Sequence, residues 1–352
     1  MADLFRCPHK LSNIAVAPDD VKAGPLTAGE ATVLVTPRSF GRGDDSLRAE
    51  LERSVAHVRY AAAPNLAADG LGELLTDVDG WIAGLDAITA EVLAYAPRLR
   101  VIARYGVGVD QIDLAAARAR GIVVTNTPGA NTDAVAELTL ALFSALARSI
   151  PWSDREIRAG RWPTVDGREL GRSTVALVGL GAVGKGVARR ARALGCSVVA
   201  TDPAADPRFA AEHRIRLVEL DEALAAADFV SLHLPLTPET AHLVDAGFLA
   251  RTKPGAYLVN TARGGLVDEQ ALADALRSGH LAGAALDVHD TEPLPVDSPL
   301  RALDNLVLTP HSASHTKEAY ANMGRMALRD CLAVLDGEPP GHPVVDQAGG
   351  RA

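Results

Sequence analysis

The sequence predicts an α/β protein made of two doubly wound parallel-sheet domains. Short β-branched and apolar segments alternate with helical segments along most of the chain, which is typical of parallel sheets covered by helices. The 352 residues are too many for one ordinary hydrophobic core, so two domains are expected. In the second half, six short apolar strands follow one another with helices between them, which is the doubly wound pattern.

The first series of elements extends to about residue 126. The predicted strands are residues 31–37, 81–84, 100–104 and 122–126, and the predicted helices are residues 46–53, 90–96 and 114–120. Thr127-Pro128-Gly129 then breaks the last strand. We expect this series to form a mostly parallel sheet with helices on its faces.

A long apolar helix over residues 132–149 is predicted to connect the two domains. Segment 150–170, which carries Trp152 and Trp162, is predicted to be either an arm that packs on a second subunit or a simple surface excursion. The second series then supplies strands at residues 174–178, 197–201, 229–232, 256–260, 283–286 and 306–308. A final helix over residues 317–335 is expected to pack on the first domain.

Composition disfavours several classes of protein. The 48% apolar and 22% charged fractions are typical of a soluble globular protein, and the net charge of −9 argues against nucleic-acid and anionic-membrane partners. Cys7, Cys196 and Cys331 have neither metal-site nor disulfide spacing, so we expect a reducing, cytoplasmic setting and no metal. No apolar run reaches the ~18 residues of a membrane helix, and the N-terminus lacks a signal-peptide core.

A glycine-rich turn follows the strand at residues 174–178. Gly179, Gly181 and Gly184 form the pattern G-x-G-x-x-G and open a helix, and Asp202 ends the next strand eighteen positions later. Such glycines permit a tight turn, a close approach of the backbone to a pyrophosphate and close packing of helix on strand. Asp202 would accept hydrogen bonds from the adenosine ribose and repel a 2′-phosphate. The sequence therefore predicts a Rossmann domain that binds NAD rather than NADP.

The glycine-rich turn lies in the middle of the chain, which predicts an inserted domain. We expect a Rossmann NAD-binding domain over residues 128–309, inserted in a flavodoxin-like substrate domain made of residues 1–127 and 310–352, with the ligand cleft between them. Residues 1–30 are expected to be an irregular N-terminal extension.

Three candidate catalytic residues, Arg263, Glu292 and His311, each follow a predicted strand of the second sheet. The carboxyl ends of the strands in such a sheet face the ligand, so the three side chains are expected to meet. Arg263 would bind a substrate carboxylate and polarise the carbonyl, and His311 would exchange the hydroxyl proton. Glu292 would orient the imidazole and favour its protonated form. Asp287 is predicted to bind the nicotinamide carboxamide, so the set indicates hydride transfer to or from a hydroxy acid.

Ordinary structural roles remain open for each of these residues. An arginine after a strand is often a surface or ion-pair residue, and Glu292 before a proline would also suit the start of a turn. His233, His289 and His315 are alternatives for the acid–base role. His289 is the alternative to test first because it lies close to Glu292 in sequence.

Between residues 31 and about 340 the chain resembles the D-isomer-specific 2-hydroxyacid dehydrogenase family. The matching segments are RYGVGVDQID at 104–113, NTPGANTDAVAE at 126–137, the glycine-rich turn at 178–184, SLHLP at 231–235, NTARGGLV at 260–267, LDVHDTEP at 286–293 and TPHS at 309–312. The resemblance implies a hydride transfer that uses Arg263, Glu292 and His311, in a homodimer built on the nucleotide domains. Further cofactor contacts are expected at Thr127, Ala182, Val183, Leu234, Pro235 and Thr261.

Within the family the chain is most similar to the D-3-phosphoglycerate dehydrogenase branch. There, the loop at residues 105–109 offers backbone N–H groups to the substrate carboxylate, and the position of Arg104 carries an arginine near the substrate phosphate. The expected substrate contacts are therefore Arg104, Tyr105, Val107, Gly108 and Arg263. We expect a (D)-2-hydroxy acid and its 2-oxo acid as substrates, with a phosphate or phosphonate tail as one class. Because the sequence ends near residue 352, we expect no C-terminal regulatory domain of the kind that many such enzymes carry.

Three other functions are weighed against this one. Phosphite dehydrogenase resembles this fold, but its substrate-contacting lysine would fall at Val107. The formate dehydrogenase of this family lacks the acidic partner of the histidine, which Glu292 supplies here. An NAD-sensing, corepressor-like binding protein would retain the Arg/Glu/His set and add peptide-binding surfaces that nothing in this sequence indicates.

Overall fold

The computed structural model describes residues 27–62 and 68–344, so residues 1–26 of the expected N-terminal extension, with Cys7, lie outside the described residues. Contacts between Cα atoms divide the chain into two compact units. Thr132–Ser314 belong to one unit, and the described residues before and after them belong to the other.

The strands and helices of the described residues are as follows in chain order. The strands are β1 Thr32–Val35, β2 His57–Tyr60, β3 Gly80–Ala83, β4 Val101–Arg104, β5 Val123–Thr125, β6 Thr174–Val178, β7 Ser197–Thr201, β8 Arg216–Leu217, β9 Phe229–Leu232, β10 Ala256–Asn260, β11 Leu281–Leu286 and β12 Leu306–Leu308. The helices are α1 Ser46–Ser54, α2 Ala68–Leu75, α3 Ala90–Ala94, α4 Leu114–Ala119, α5 Thr132–Ala147, α6 Ile150–Arg158, α7 Ala182–Ala193, α8 Pro207–Glu212, α9 Leu220–Ala226, α10 Ala246–Ala250, α11 Glu269–Arg277 and α12 Lys317–Leu335.

The unit formed by the two ends of the chain contains a five-stranded parallel sheet. Its order is β2-β1-β3-β4-β5, which is the flavodoxin-like order with its reversal between β1 and β3. Leu34, Trp81 and Ile102 lie in its buried core. Helix α12 contacts β3, β4 and β5, as the sequence predicts for the final helix.

The unit of Thr132–Ser314 contains a seven-stranded sheet in the order β12-β11-β10-β9-β6-β7-β8, again parallel throughout. The strand order reverses between β6 and β9, so the sheet is doubly wound in the Rossmann manner. Alternate residues of β6 face opposite cores: Val175 and Leu177 pack on one side, and Ala176 and Val178 on the other. Burial on both faces explains the continuous apolar run of this strand. The two sheets confirm the predicted fold class.

Besides helix α6 at Ile150–Arg158, three elements were not predicted from the sequence. β2 is an edge strand with mixed exposure, β8 has only two residues, both exposed, and neither shows an apolar run. Helix α2 carries two glycines within eight residues, which weakens its helical signal. The packing of these elements against their neighbours decides their structure.

Segment 150–170 begins with α6, a helix without a buried residue. Trp162 is 89% exposed. No single described helix is long and apolar enough to cross a membrane, and only α5 and α6 together, bent by 60°, reach that length and composition.

Candidate active site

The glycine-rich turn between β6 and α7 is closely packed at two of its glycines and open at the third. Gly179 has a φ of +101°, and a Cβ there would lie 2.5 Å from the carbonyl oxygen of His233. A Cβ on Gly184 would lie 2.3 Å from the carbonyl oxygen of Gly179. At Gly181, by contrast, no described atom lies within 4 Å of the position of a Cβ. The turn therefore requires glycine at two positions for packing and leaves space beside Gly181.

The N-terminus of α7 and the end of β7 complete this region. Gly181 caps the helix without a side-chain hydrogen bond, so the first amides, those of Ala182 and Val183, have no intrahelical acceptor. Asp202 accepts hydrogen bonds from the amides of Leu180 (2.7 Å) and Ala204 (2.8 Å), and its carboxylate therefore abuts the turn. Free amides at a positive helix end suit a pyrophosphate, and the remaining lone pairs of Asp202 suit ribose hydroxyls. These residues fit NAD.

The other predicted cofactor contacts have varied surroundings. Leu234 packs against the core of the Rossmann unit, and Pro235 after it is exposed. The hydroxyl of Thr261 lies 3.0 Å from that of Thr139, and both side chains are buried. Thr127 belongs to the other unit, where its buried Oγ1 has no hydrogen-bond partner among the described residues. Their contacts with NAD remain predictions.

Glu292 and His311 form a hydrogen-bonded pair. Nδ1 of His311 lies 2.7 Å from Oε2 of Glu292, and Oε1 of Glu292 accepts a hydrogen bond from the amide of His289 at 3.0 Å. Burial alone would raise the pKa of Glu292. The hydrogen bonds from His311 and from the amide of His289 together outweigh this effect, so the pKa of Glu292 lies below its usual value. An ionised Glu292 can only accept, so Nδ1 donates and Nε2 of His311 is left to exchange a proton.

Asp287 fixes the segment that carries His311. Its buried carboxylate accepts hydrogen bonds from Thr309 Oγ1 (2.5 Å) and from the amides of Ser312 (2.9 Å) and Ala313 (2.8 Å). Its carbonyl oxygen accepts from the amide of His311 at 2.7 Å. These bonds hold His311 at a φ of +51°, a left-handed conformation that a non-glycine residue seldom adopts. The predicted carboxamide contact of Asp287 remains a prediction beside this observed role.

Arg263 is brought to the same edge of the sheet by two residues that the sequence analysis did not single out. The buried Asn260 donates to the carbonyl of Arg263 (2.8 Å) and accepts from the amide of Ala262 (3.0 Å). A Cβ on Gly264 would lie 2.0 Å from the carbonyl carbon of His289. The Arg263 loop is therefore packed directly on the loop of Glu292. The sequence signal that could have identified this support is Asn260 at the end of β10, with the adjacent glycines Gly264 and Gly265 after Arg263.

The alternative histidines have different environments. Burial lowers the pKa of His233 to about 4, and its Nε2 lies 3.0 Å from the Ser231 hydroxyl, so its imidazole is neutral near pH 7. Nε2 of His289 lies 3.2 Å from a backbone carbonyl, which only accepts. His315 lies in the other unit, with its ring 5.7 Å from that of Tyr320. These contacts favour His311 for the acid–base role.

Arg104 lies inside the loop that it introduces. It is 8% exposed, and its guanidinium donates to the carbonyl oxygens of Tyr105 and Gly108, the latter at 2.9 Å from Nε. A Cβ on Gly106 would lie 2.7 Å from Nη1 of Arg104, so the loop is wrapped closely around this group. Arg104 thus supports the backbone of the loop, and its predicted contact with a substrate phosphate remains a prediction.

The same loop presents amides to its surroundings. The carbonyl of Gly106 accepts from the amide of Thr127 (3.0 Å), and that of Val107 accepts from the side chain of Asn126 (2.8 Å). Within the described residues, the amides of Val107 and Gly108 donate to no acceptor. Adjacent N–H groups of this kind, with a guanidinium behind them, suit an anion, and their contact with a substrate carboxylate remains a prediction.

Comparisons with known proteins identify relatives of this chain. Residues 140–313 match the family model described as D-isomer specific 2-hydroxyacid dehydrogenase, NAD binding domain. The chain is 49% identical over 253 residues to a D-3-phosphoglycerate dehydrogenase of Mycobacterium bovis, which covers 71% of this chain and 48% of that protein. It therefore spans about half the length of such relatives.

Two further proteins are matched over most of their length. A glyoxylate reductase of Thermofilum pendens is 46% identical over 264 residues, covering 72% of this chain and 77% of that protein. The crystal structure of a Thermus thermophilus protein is 44% identical with a TM-score of 0.81, covering 89% of this chain and 100% of that one.

Proposed function

Because the chain belongs to the D-isomer-specific 2-hydroxyacid dehydrogenase family, we propose that it transfers a hydride between NAD(H) and a (D)-2-hydroxy acid or its 2-oxo acid. The observation that carries this proposal is the pair of His311 and Glu292, 2.7 Å apart, on a loop packed against that of Arg263. The glycine-rich turn and Asp202 would hold NAD, which would supply or accept the hydride when bound.

His311 exchanges the proton that accompanies this transfer. In the reducing direction its protonated imidazole donates from Nε2 to the 2-oxo oxygen, and in the oxidising direction the neutral imidazole removes the hydroxyl proton. Glu292 stabilises the protonated ring and prevents it from rotating. Asp287 determines the backbone position of the histidine through Ser312 and Ala313.

The substrate carboxylate requires cationic or N–H donors. Arg263 supplies a planar guanidinium that can bind the carboxylate and polarise the carbonyl, and the amides of Val107 and Gly108 supply further donors. Each hydrogen bond to a charged group contributes about 1.5–3 kcal/mol. The positive charge of Arg104 behind the loop strengthens its attraction for an anion.

A homodimer built on the Rossmann unit is part of the proposal. Ile150 and Ile157 on α6 are 53% and 46% exposed, and Trp162 follows at 89%. Large apolar side chains exposed along one short segment are typical of a surface that a partner covers. Size-exclusion chromatography with light scattering tests this, and a Trp162→Ser, Ile157→Ser variant should shift the protein to monomers.

A cytoplasmic location is also proposed. The two described cysteines, Cys196 and Cys331, are free and buried, which suits a reducing compartment. Fractionation of the source cells would test this.

The function is tested by NADH consumption across 2-oxo acids with carboxylate, phosphate, phosphonate and aromatic tails. Purified protein should oxidise NADH with at least one of them, and Arg263→Ala and His311→Ala should each lower kcat/KM by about 100-fold or more. Arg172→Ala, at an exposed arginine before β6, is the matched control and should retain activity. A flat response over the whole panel, or full activity of both variants, would refute the proposal. NADH-dependent binding of a protein without turnover would instead favour the corepressor-like alternative.

A further inference from the structure

We infer that the loop at residues 37–43 forms a second anion-binding subsite, in which Arg38 and Arg42 bind a phosphate, phosphonate or carboxylate on the tail of the substrate. The inference rests on the proposed function and names its substrate class: 2-oxo acids with two separate anionic groups.

The loop lies where that sheet is expected to bind ligands. It follows β1, and the strand order reverses between β1 and β3. Ligands of open α/β sheets bind outside the carboxyl ends of the strands at such a reversal. Gly84, just after β3, faces this loop, since a Cβ on it would lie 3.6 Å from Cα of Pro37. The loop therefore occupies the switch point of the sheet.

The loop is held rigidly. Phe40 is fully buried and packs edge-on against Tyr105, with ring centroids 6.2 Å apart. Gly41 has a φ of +85°. A Cβ on Gly43 would lie 1.9 Å from the carbonyl oxygen of Lys317, so the loop is seated directly on the start of α12. A rigid loop presents its charges without a large ordering cost on binding.

Arg38 and Arg42 are both exposed, and neither forms an ion pair with another described residue. The next carboxylate along the chain, Asp44, is already paired with Arg325 at 2.8 Å. A loop in a chain of net charge −9 thus presents two uncompensated guanidinium groups four positions apart. Two such groups match the charge and oxygen geometry of a phosphate or phosphonate.

Tyr105 connects this loop with the amide-presenting loop. Its phenol lies 3.3 Å from the carbonyl oxygen of Ser39 and 3.0 Å from that of Tyr320, and it begins the segment that presents the amides of Val107 and Gly108. Burial raises the pKa of the phenols of Tyr105 and Tyr320. The positive charge of Arg42 acts on both phenols in the opposite direction, which indicates that Arg42 lies near them. One substrate can therefore place its carboxylate on the amides and its tail anion on the arginines.

The test compares kcat/KM for 3-phosphohydroxypyruvate, phosphonopyruvate and oxaloacetate with that for glyoxylate, which has a single anionic group. In the wild type at least one of the first three should be preferred. Arg38→Ala and Arg42→Ala should each lower that preference by roughly 10- to 100-fold. Arg53→Ala, at an exposed arginine in the last turn of α1, is the matched control and should leave the preference unchanged. Inorganic phosphate should inhibit glyoxylate reduction competitively in the wild type and more weakly in Arg42→Ala.

The outcomes separate the two proposals. A wild type that reduces no 2-oxo acid of the wider panel contradicts the proposed function itself, whereas one that reduces only acids outside these four refutes the subsite alone. A wild type that reduces glyoxylate but discriminates against all three dianionic acids refutes the subsite alone, as do arginine variants that retain the wild-type preference. Rising ionic strength should reduce the preference in kcat/KM for dianionic acids over glyoxylate. Salt screens exposed charges from one another, with a Debye length of about 10 Å at 0.1 M.

Discussion

Nδ1 of His311 lies 2.7 Å from Oε2 of Glu292, although 19 positions separate the two residues in the chain. The carboxylate is also held by the amide of His289, so its two oxygens are engaged by two different donors. Because the low pKa of Glu292 keeps it ionised, the pair behaves as an imidazole with a fixed acceptor on one side and an exchangeable nitrogen on the other.

The first prediction concerns Glu292→Gln. Removing the negative charge destabilises the protonated imidazole of His311, so the alkaline decline of 2-oxo acid reduction should move to lower pH. The kcat–pH profile measures this. Glu269→Gln is the matched control, since the carboxylate of Glu269 accepts a hydrogen bond at 3.0 Å from the backbone amide of Asp290, which lies in the same loop as Glu292. If wild type and Glu292→Gln had the same kcat–pH profile, Glu292 would not stabilise the protonated imidazole of His311.

The second prediction contrasts two glycines of one turn. Gly181→Ala adds a methyl group where no described atom lies within 4 Å, so it should cost less than about 1 kcal/mol of folding free energy. It should nevertheless raise the Kd for NADH more than about tenfold, because the methyl group occupies the space proposed for the pyrophosphate. Gly184→Ala collides with backbone and should destabilise the fold by about 1–3 kcal/mol.

Urea unfolding and NADH fluorescence titration together distinguish these effects. Equal NADH affinity in Gly181→Ala and wild type would show that the open space is not the cofactor site.

The third prediction concerns Asp287→Asn. In this variant an NH2 group replaces one carboxylate oxygen and faces the N–H and O–H groups that donate to Asp287. The segment around His311 should therefore shift, and the free energy of unfolding should fall by about 1–3 kcal/mol. The kcat should fall as well. Asp245→Ala, which removes the side-chain cap of α10, is the control that loses about 0.5–2 kcal/mol of stability while retaining kcat. If Asp287→Asn weakened only NADH binding, with unchanged stability, the carboxamide contact would be its sole role.

The fourth prediction concerns His233 and pH. Its pKa is about 4 in the folded protein, against about 6.5 in the unfolded chain, so the unfolded state binds one more proton between these values. His233 should therefore reduce the free energy of unfolding as pH falls from about 6.5 to 4, by roughly 1–3 kcal/mol. Urea unfolding at several pH values should show a shallower dependence in His233→Asn. His242→Asn, at an exposed site with a φ of +50°, should retain the wild-type slope.

Much of the fold was predictable because the signals were local. Each of the six apolar strands predicted between residues 174 and 308 has a counterpart in the structure, since strands buried on both faces need continuous apolar residues. The edge strands β2 and β8 were not predictable in this way. They bury little, and pairing with a neighbour determines their structure.

In the candidate site, too, local features were predictable from the sequence and long-range contacts were not. The sequence by itself determined the glycine spacing of the turn and the positions of Asp202, Arg263, Glu292 and His311 after their strands, because backbone sterics and strand polarity act over a few residues. Only the tertiary structure decided that the carboxylate of Asp287 binds the His311 segment and that Arg104 turns into its own loop. Such orientations depend on which buried donors and acceptors packing brings within about 3 Å, because most buried polar groups need a hydrogen-bond partner. Some of these partners, such as Asp287 and Ala313, are more than twenty positions apart in the chain.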